Sequence, residues 1–168
     1  MTLILSGTNG LSDVDGTAAT PAIRGTDTNT GIYFPGADRI GFSEGGVQVG
    51  EFDASGNFLM NSGYGSVAVV YGCRAWVNFN GTGTVAIRAS GNVTSITDNG
   101  TGDYTVNFTT AMPDANYSVT GSCTRDDRVQ CNIFGPISNL TTSACRVQSK
   151  DDGGVARDSP EVSVAIFR

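Results

Sequence analysis

Apolar and polar residues alternate in short pieces broken by glycine through "NTGIYFPGADRIGFSEGGVQVGEFDASGNFLM", residues 29–60, and no helical stripe interrupts them. A period of two predicts half-buried strands. Short strands are expected at 3–5, 22–24, 31–34, 39–42, 47–52 and 57–60. Beyond "NSGYGS", residues 61–66, the runs lengthen, and nine strands are expected at 67–71, 75–79, 85–89, 93–97, 104–109, 117–122, 129–134, 145–148 and 162–167. Strands at this spacing suggest a sandwich or a compact barrel. The pattern divides the chain into an N-terminal segment, 1–62, a linker, 63–66, and a β-sandwich-like distal domain, 67–168.

The alternation also assigns faces. Tyr104, Val106 and Phe108 share one side of their strand while Thr105, Asn107 and Thr109 take the other, and Val162, Val164 and Ile166 repeat the arrangement. The tetrapeptide "NGTG" at Asn80–Gly83 and again at Asn99–Gly102 marks two turns, because Asn and Gly both tolerate positive φ. A phosphate cradle is excluded there, since neither a helix nor a P-loop lysine follows.

The first segment raises a packing problem. One chain of short strands leaves apolar surface wet and strand edges unpaired. Identical neighbours would cure both, covering Ile32, Phe34, Ile40, Phe42, Val47, Val49, Phe52 and Phe58 against their copies. The pattern calls for such neighbours without setting their number.

Composition narrows the chemistry. The 168 residues include 23 glycines but only three glutamates, Glu44, Glu51 and Glu161, and one lysine, Lys150, so helix formers are scarce. A net charge of -6 argues against nucleic acid as a partner. The apolar run at 1–5 is far too short for a membrane span or a signal-peptide core, so no membrane insertion is expected. With no histidine, the usual base of Ser and Cys hydrolases and the commonest zinc ligand are missing. No enzyme activity, cofactor or metal is expected.

Four cysteines need an explanation. Cys73, Cys123, Cys131 and Cys145 fall in phase with apolar neighbours, which favours small buried thiols over disulfides. No pair has the CxxC spacing of a zinc site. Trp76 lies in a strand and is read as core or interface rather than as a platform for sugars. The segments "TRDDR", 124–128, and "SKDDGGVARD", 149–158, hold four of the ten basic and five of the sixteen acidic residues. Solvated turn tips account for such charge runs, but loops on a rigid sheet also carry binding residues. Arg125, Asp126, Asp127, Arg128, Lys150, Asp151, Asp152 and Arg157 are therefore the receptor-binding candidates. Calcium at Asp126, Asp127, Asp151 and Asp152 lacks EF-hand spacing and is set aside.

Residues 27–60, with "TGIYFPGADRIGFSEGG" and the turn "DASGN", resemble the shaft segment of tail fibres and related appendages of tailed bacteriophages, especially cyanophage-like short fibres. Residues 74–122 resemble the distal domain of such fibres; after 123 the likeness thins to the ending "VSVAIFR". The resemblance implies a homotrimer with an intertwined N-terminal β shaft and a compact distal domain. It implies a non-enzymatic virion protein, made in the host cytoplasm and mounted through its N-terminal region on a tail, neck or head protein. Binding of a host surface glycan or receptor is its expected function, and a structural decoration or connector is the alternative.

Overall fold

The computed structural model describes residues 5–6, 10–11, 14–63, 66–125, 128–129, 132–133, 140–151 and 153–168, and its described residues are strands and turns without a helix. The chain forms two compact units, Met1–Val70 and Tyr71–Arg168.

In the first unit, β1 (Leu5–Ser6) pairs with β2 (Gly10–Leu11). Six further strands then follow as an antiparallel meander: β3 (Ile23–Arg24), β4 (Gly31–Tyr33), β5 (Ile40–Glu44), β6 (Val47–Phe52), β7 (Phe58–Met60) and β8 (Ala68–Val69). Two turns set the register. Gly45 and Gly46 take φ of 59° and 81°, the left-handed pair that suits a tight hairpin between β5 and β6. Between β6 and β7 the Asp53 carboxylate accepts the Ser55 and Asn57 amides, each at 2.9 Å, and Gly56 takes φ 78°. The strand expected at 67–71 belongs here as well. Ala68–Val69 pairs with β7 and closes this sheet, because Leu59 and Met60 offer an edge beside it.

The second unit holds two antiparallel sheets. One has the order β10-β9-β17-β13-β14 and the other β11-β12-β16-β15. Their strands are β9 (Cys73–Asn80), β10 (Ala86–Gly91), β11 (Val93–Gly100), β12 (Asp103–Phe108), β13 (Ser118–Arg125), β14 (Arg128–Val129), β15 (Asn132–Ile133), β16 (Ala144–Lys150) and β17 (Glu161–Phe167). The chain crosses between sheets at Asn92, φ 56°, whose amide donates to Arg74 O and Thr110 O at 3.1 Å while its oxygen accepts the Thr110 amide at 2.8 Å. The expected strand at 129–134 is two short pieces in different sheets.

Between the sheets lies a closed core. Val77, Phe79, Tyr104, Val106, Val147, Val162, Val164 and Ile166 are all at most 3% exposed. The rings of Phe79 and Tyr104 meet edge-on with centroids 5.1 Å apart, as do Phe108 and Tyr117 at 5.8 Å. Alternation in β12 and β17 predicts these inward positions directly.

Of the cysteines, Cys145 meets the expectation of a buried thiol while Cys123 and Cys73 depart from it. Cys145 is a buried thiol, its pKa pushed up to about 12 by loss of water. Cys123 is buried but disulfide-bonded. Cys73 is an exposed thiol whose Sγ lies 3.2 Å from Ala75 O. Cys131 lies outside the described residues. At Cys123 and Cys145 the apolar phase identifies a small buried side chain, a requirement that thiol and disulfide sulfur satisfy equally, whereas Cys73 lies at the exposed start of β9. Trp76 is likewise not core: it sits between buried Ala75 and Val77 and is 44% exposed, because period two turns it to the outer face.

Candidate functional site

Strand direction gathers four connections at one end of the second unit. Asn80↔Ala86, Gly100↔Asp103 and Arg125↔Arg128 close three hairpins there, and β16 ends and β17 begins at the same level, since Asp103 pairs with Gln148 and Thr124 with Glu161. Both charged segments therefore reach this end, one from each sheet.

The two NGTG turns clasp the segment between β16 and β17. Gly81 N–H donates to Ser159 O at 2.9 Å and Ser149 N–H donates to Gly102 O at 2.8 Å. The Asp158 carboxylate accepts the Gly102 amide at 2.7 Å. The Tyr104 hydroxyl lies 3.0 Å from Gly81 O and 3.1 Å from Asp158 Oδ1, sharing its proton between them. Burial, then Asp158, holds the Tyr104 phenol far above its usual range. A Cβ at Gly81 would fall 2.4 Å from the Tyr104 oxygen, and one at Gly102 would fall 2.6 Å from both Arg157 N and Ser149 O. Each repeat thus supplies one glycine that the packing requires. Positive φ resides on Gly83, Gly100 and Gly102, not on Asn80 or Asn99 as the Asn-Gly rule predicts. Asn80 instead bridges its own turn, donating to Thr82 O at 2.7 Å.

The loop after β16 is held by its own charges. Asp151 accepts the Gly153 and Val155 amides at 3.0 and 2.9 Å and the Arg157 Nε at 3.0 Å. The Val155 amide, then Arg157, keeps its carboxyl below the ordinary range. Ser149, 1% exposed, donates its hydroxyl to Arg157 O. Asp151 and Arg157 therefore shape this loop as well as charging it, which the charge run alone does not reveal. Lys150 is half-buried at the end of β16 and bridges to Ala156. Arg125 and Arg128 face each other in the β13–β14 register, so their backbones are paired. Asp126, Asp127 and Asp152 lie outside the described residues, and with them three of the four aspartates of the calcium alternative.

The first unit carries the second set of candidates. Cross-strand pairs Ile23↔Ile32↔Phe42 and Ile40↔Phe52↔Phe58 put these residues on one side of the six-stranded sheet, with Met60 opposite Gly50 on that same side. Phe52 contacts Phe42 and Phe58 with ring centroids 6.2 and 5.2 Å apart. Ile23, Ile40, Phe52, Phe58 and Met60 are all between 42% and 44% exposed. Phe34 and Val47 are exposed too, whereas Ile32, Phe42 and Val49 are half-buried, Val49 at the bulge in β6. The opposite side holds buried polar groups beside Leu59 and the exposed Val69. Tyr33 covers Gly41, and Glu51, 1% exposed, receives both Arg39 and Gln48. The Arg39 hydrogen bond keeps Glu51 ionised below its ordinary range.

Sequence reasoning placed Tyr104 on one face of its strand without its hydroxyl's role, and missed the roles of Asp158, Ser149 and the two clasping glycines. The doubled NGTG was a signal for two of them; Asp158 had none beyond its charge. No family model, no curated protein and no solved structure matches this chain.

Proposed function

We propose that this chain is a homotrimeric, non-enzymatic fibre protein of a tailed-bacteriophage virion, with the first unit as an intertwined shaft and the second as the part that binds the host cell surface. The observation that carries the reading is the uncovered apolar side of the six-stranded sheet. A chain that presents Ile23, Ile40, Phe52, Phe58 and Met60 together offers an association surface, while on the reverse side Glu51 is already satisfied by Arg39 and Gln48. Copies of the same chain fit because the surface is mainly apolar, with Glu44 at the end of β5 as the charge that its strand places on that side. The likeness of residues 27–60 to phage fibre shafts supports three copies and a mount on another virion protein through the N-terminal region.

The clasped loop end of the second unit suits surface recognition. At this end the described residues 153–159 are held by hydrogen bonds with Asp151, Ser149 and Gly81 before any ligand arrives, which lowers the ordering cost of binding. Threefold presentation would strengthen weak contacts by about 10² to 10⁴ where geometry allows. Light scattering should give three times 17.4 kDa, and fluorescently labelled protein should adsorb to host cells. Alanine at Arg125, Arg128 and Lys150 together should reduce adsorption at least tenfold without loss of the trimer. A trimer that adsorbs to no host cell points instead to a structural decoration or connector.

A further inference from the structure

We propose a second binding site, for an uncharged oligosaccharide, on the outer face of the five-stranded sheet around Trp76. It deepens the cell-surface reading above by naming a ligand class and a place, but its geometry is independent of the loop end.

Two rows of side chains cross four strands here. The register sets Gly91, Trp76, Ala165 and Thr120 in one row, and Ala89, Asn78, Ser163 and Ser122 in the next. Neighbours of the indole are thus too small to cover it. At Gly91 a Cβ would fall 2.5 Å from the Trp76 ring nitrogen, so the missing side chain lets the ring lie across that strand. What results is a depression of about 500 Å³, lined by Trp76, Asn78, Thr120, Ser122, Ser163 and Ala165.

The polar row is ordered in advance. Asn78 donates to Ser163 Oγ at 2.9 Å and to Glu161 Oε1 at 3.1 Å, and its oxygen accepts Arg88 Nη1 at 3.4 Å. Thr120 and Ser122 hydroxyls engage no partner among the described residues. Arg88 and Glu161 both bond Asn78 and balance one another in the polar row, and Arg74 is exposed two residues before Trp76 on the same strand. A pyranose matches this surface: its C–H face stacks on an indole, and its hydroxyls both donate and accept toward hydroxyl and amide groups. An apolar protein segment would instead strip water from Asn78, Ser122, Ser163 and Thr120 without replacing their hydrogen bonds.

Trp76 is the chain's sole tryptophan, so its emission reports this site alone. The full chain is titrated with linear hexasaccharides of glucose, mannose, galactose and N-acetylglucosamine, with calorimetry in parallel. At least one should shift the emission saturably. Trp76→Ala should weaken that binding at least tenfold, about 1.4 kcal/mol, and Asn78→Ala should weaken it severalfold, both with unchanged melting temperature; Trp76→Phe should retain most of it. The proposal is overturned if none of the four sugars binds, if Trp76→Ala binds like the parent, or if emission shifts with protein concentration alone, which would mean a second copy covers the face. Host-cell adsorption separates the two readings. Adsorption without hexasaccharide binding removes this site and leaves the fibre reading, whereas hexasaccharide binding without adsorption does the reverse.

Discussion

The two units are built from the same strand chemistry and reach opposite ends with it. In the second unit, inward residues of one sheet meet those of another, and Phe79, Tyr104, Val162 and Ile166 are each completely buried. In the first, a single six-stranded layer sets Ile40, Phe52 and Phe58 in an equally regular row and leaves each more than 40% exposed. Layer number makes the difference. A sheet with one apolar face is stable when something covers that face, and the second unit supplies its own cover while the first does not. Regular alternation therefore says that a face wants burial, not who provides it.

The comparison breaks most directly at the uncovered face. Phe52→Asp with Phe58→Asp should lower the particle mass by light scattering to 17.4 kDa, with the near-ultraviolet signature of the second unit kept. An unchanged mass would show that association runs through another surface. The next effect belongs to the closed core, where Phe79→Ala should cost about 3–5 kcal/mol in denaturant unfolding and leave the mass alone. All four cysteines lie beyond residue 70, and Cys123 is disulfide-bonded, so reductant should lower the melting of the second unit, by about 2–5 kcal/mol, and spare the first. Equal response of both transitions would contradict the division at Val70.

Smaller effects probe the loop end. Gly102→Ala meets Arg157 and Ser149 backbone and holds φ at 64°, and should cost about 1–3 kcal/mol with adsorption falling alongside. Weakest of all is the surface pair Asp103 and Arg146, joined through both carboxylate oxygens. The Arg146 hydrogen bond depresses the Asp103 pKa below its ordinary 3.8. Such a group stabilises the fold above the ordinary value and loses that contribution as pH falls through the depressed one. The melting difference between parent and Asp103→Asn should therefore be full at neutral pH, shrink as pH falls below 3.8 and vanish once the depressed value is passed; a difference that persists in still stronger acid would assign it to packing.

Much of this architecture is local and so was legible in the residues. Strands in β9–β13, β16 and β17 follow from period two, and the inward sets of β12 and β17 follow from the same count. Turn chemistry was legible where a side chain acts on its own backbone, as Asp53 does. Reading failed where a local rule admits two tertiary answers. Residues 67–71 are apolar enough for either unit, and only the free edge of β7 assigns them to the first. Trp76 occupies an outward position that a third layer could have buried, and Cys123 has the phase of a thiol and of a disulfide alike. Asp151 and Arg157 read as free charge because sequence does not show which carboxylate a guanidinium will meet. By itself the sequence determined an all-β chain, its strand faces and its turns, since these depend on neighbours two to four residues apart. Only the tertiary structure decided which faces are covered, which glycines must lack a Cβ and which charges are already paired, because the fold and not the spacing chooses each partner: 12 positions separate Arg39 from Glu51 and 56 separate Gly102 from Asp158.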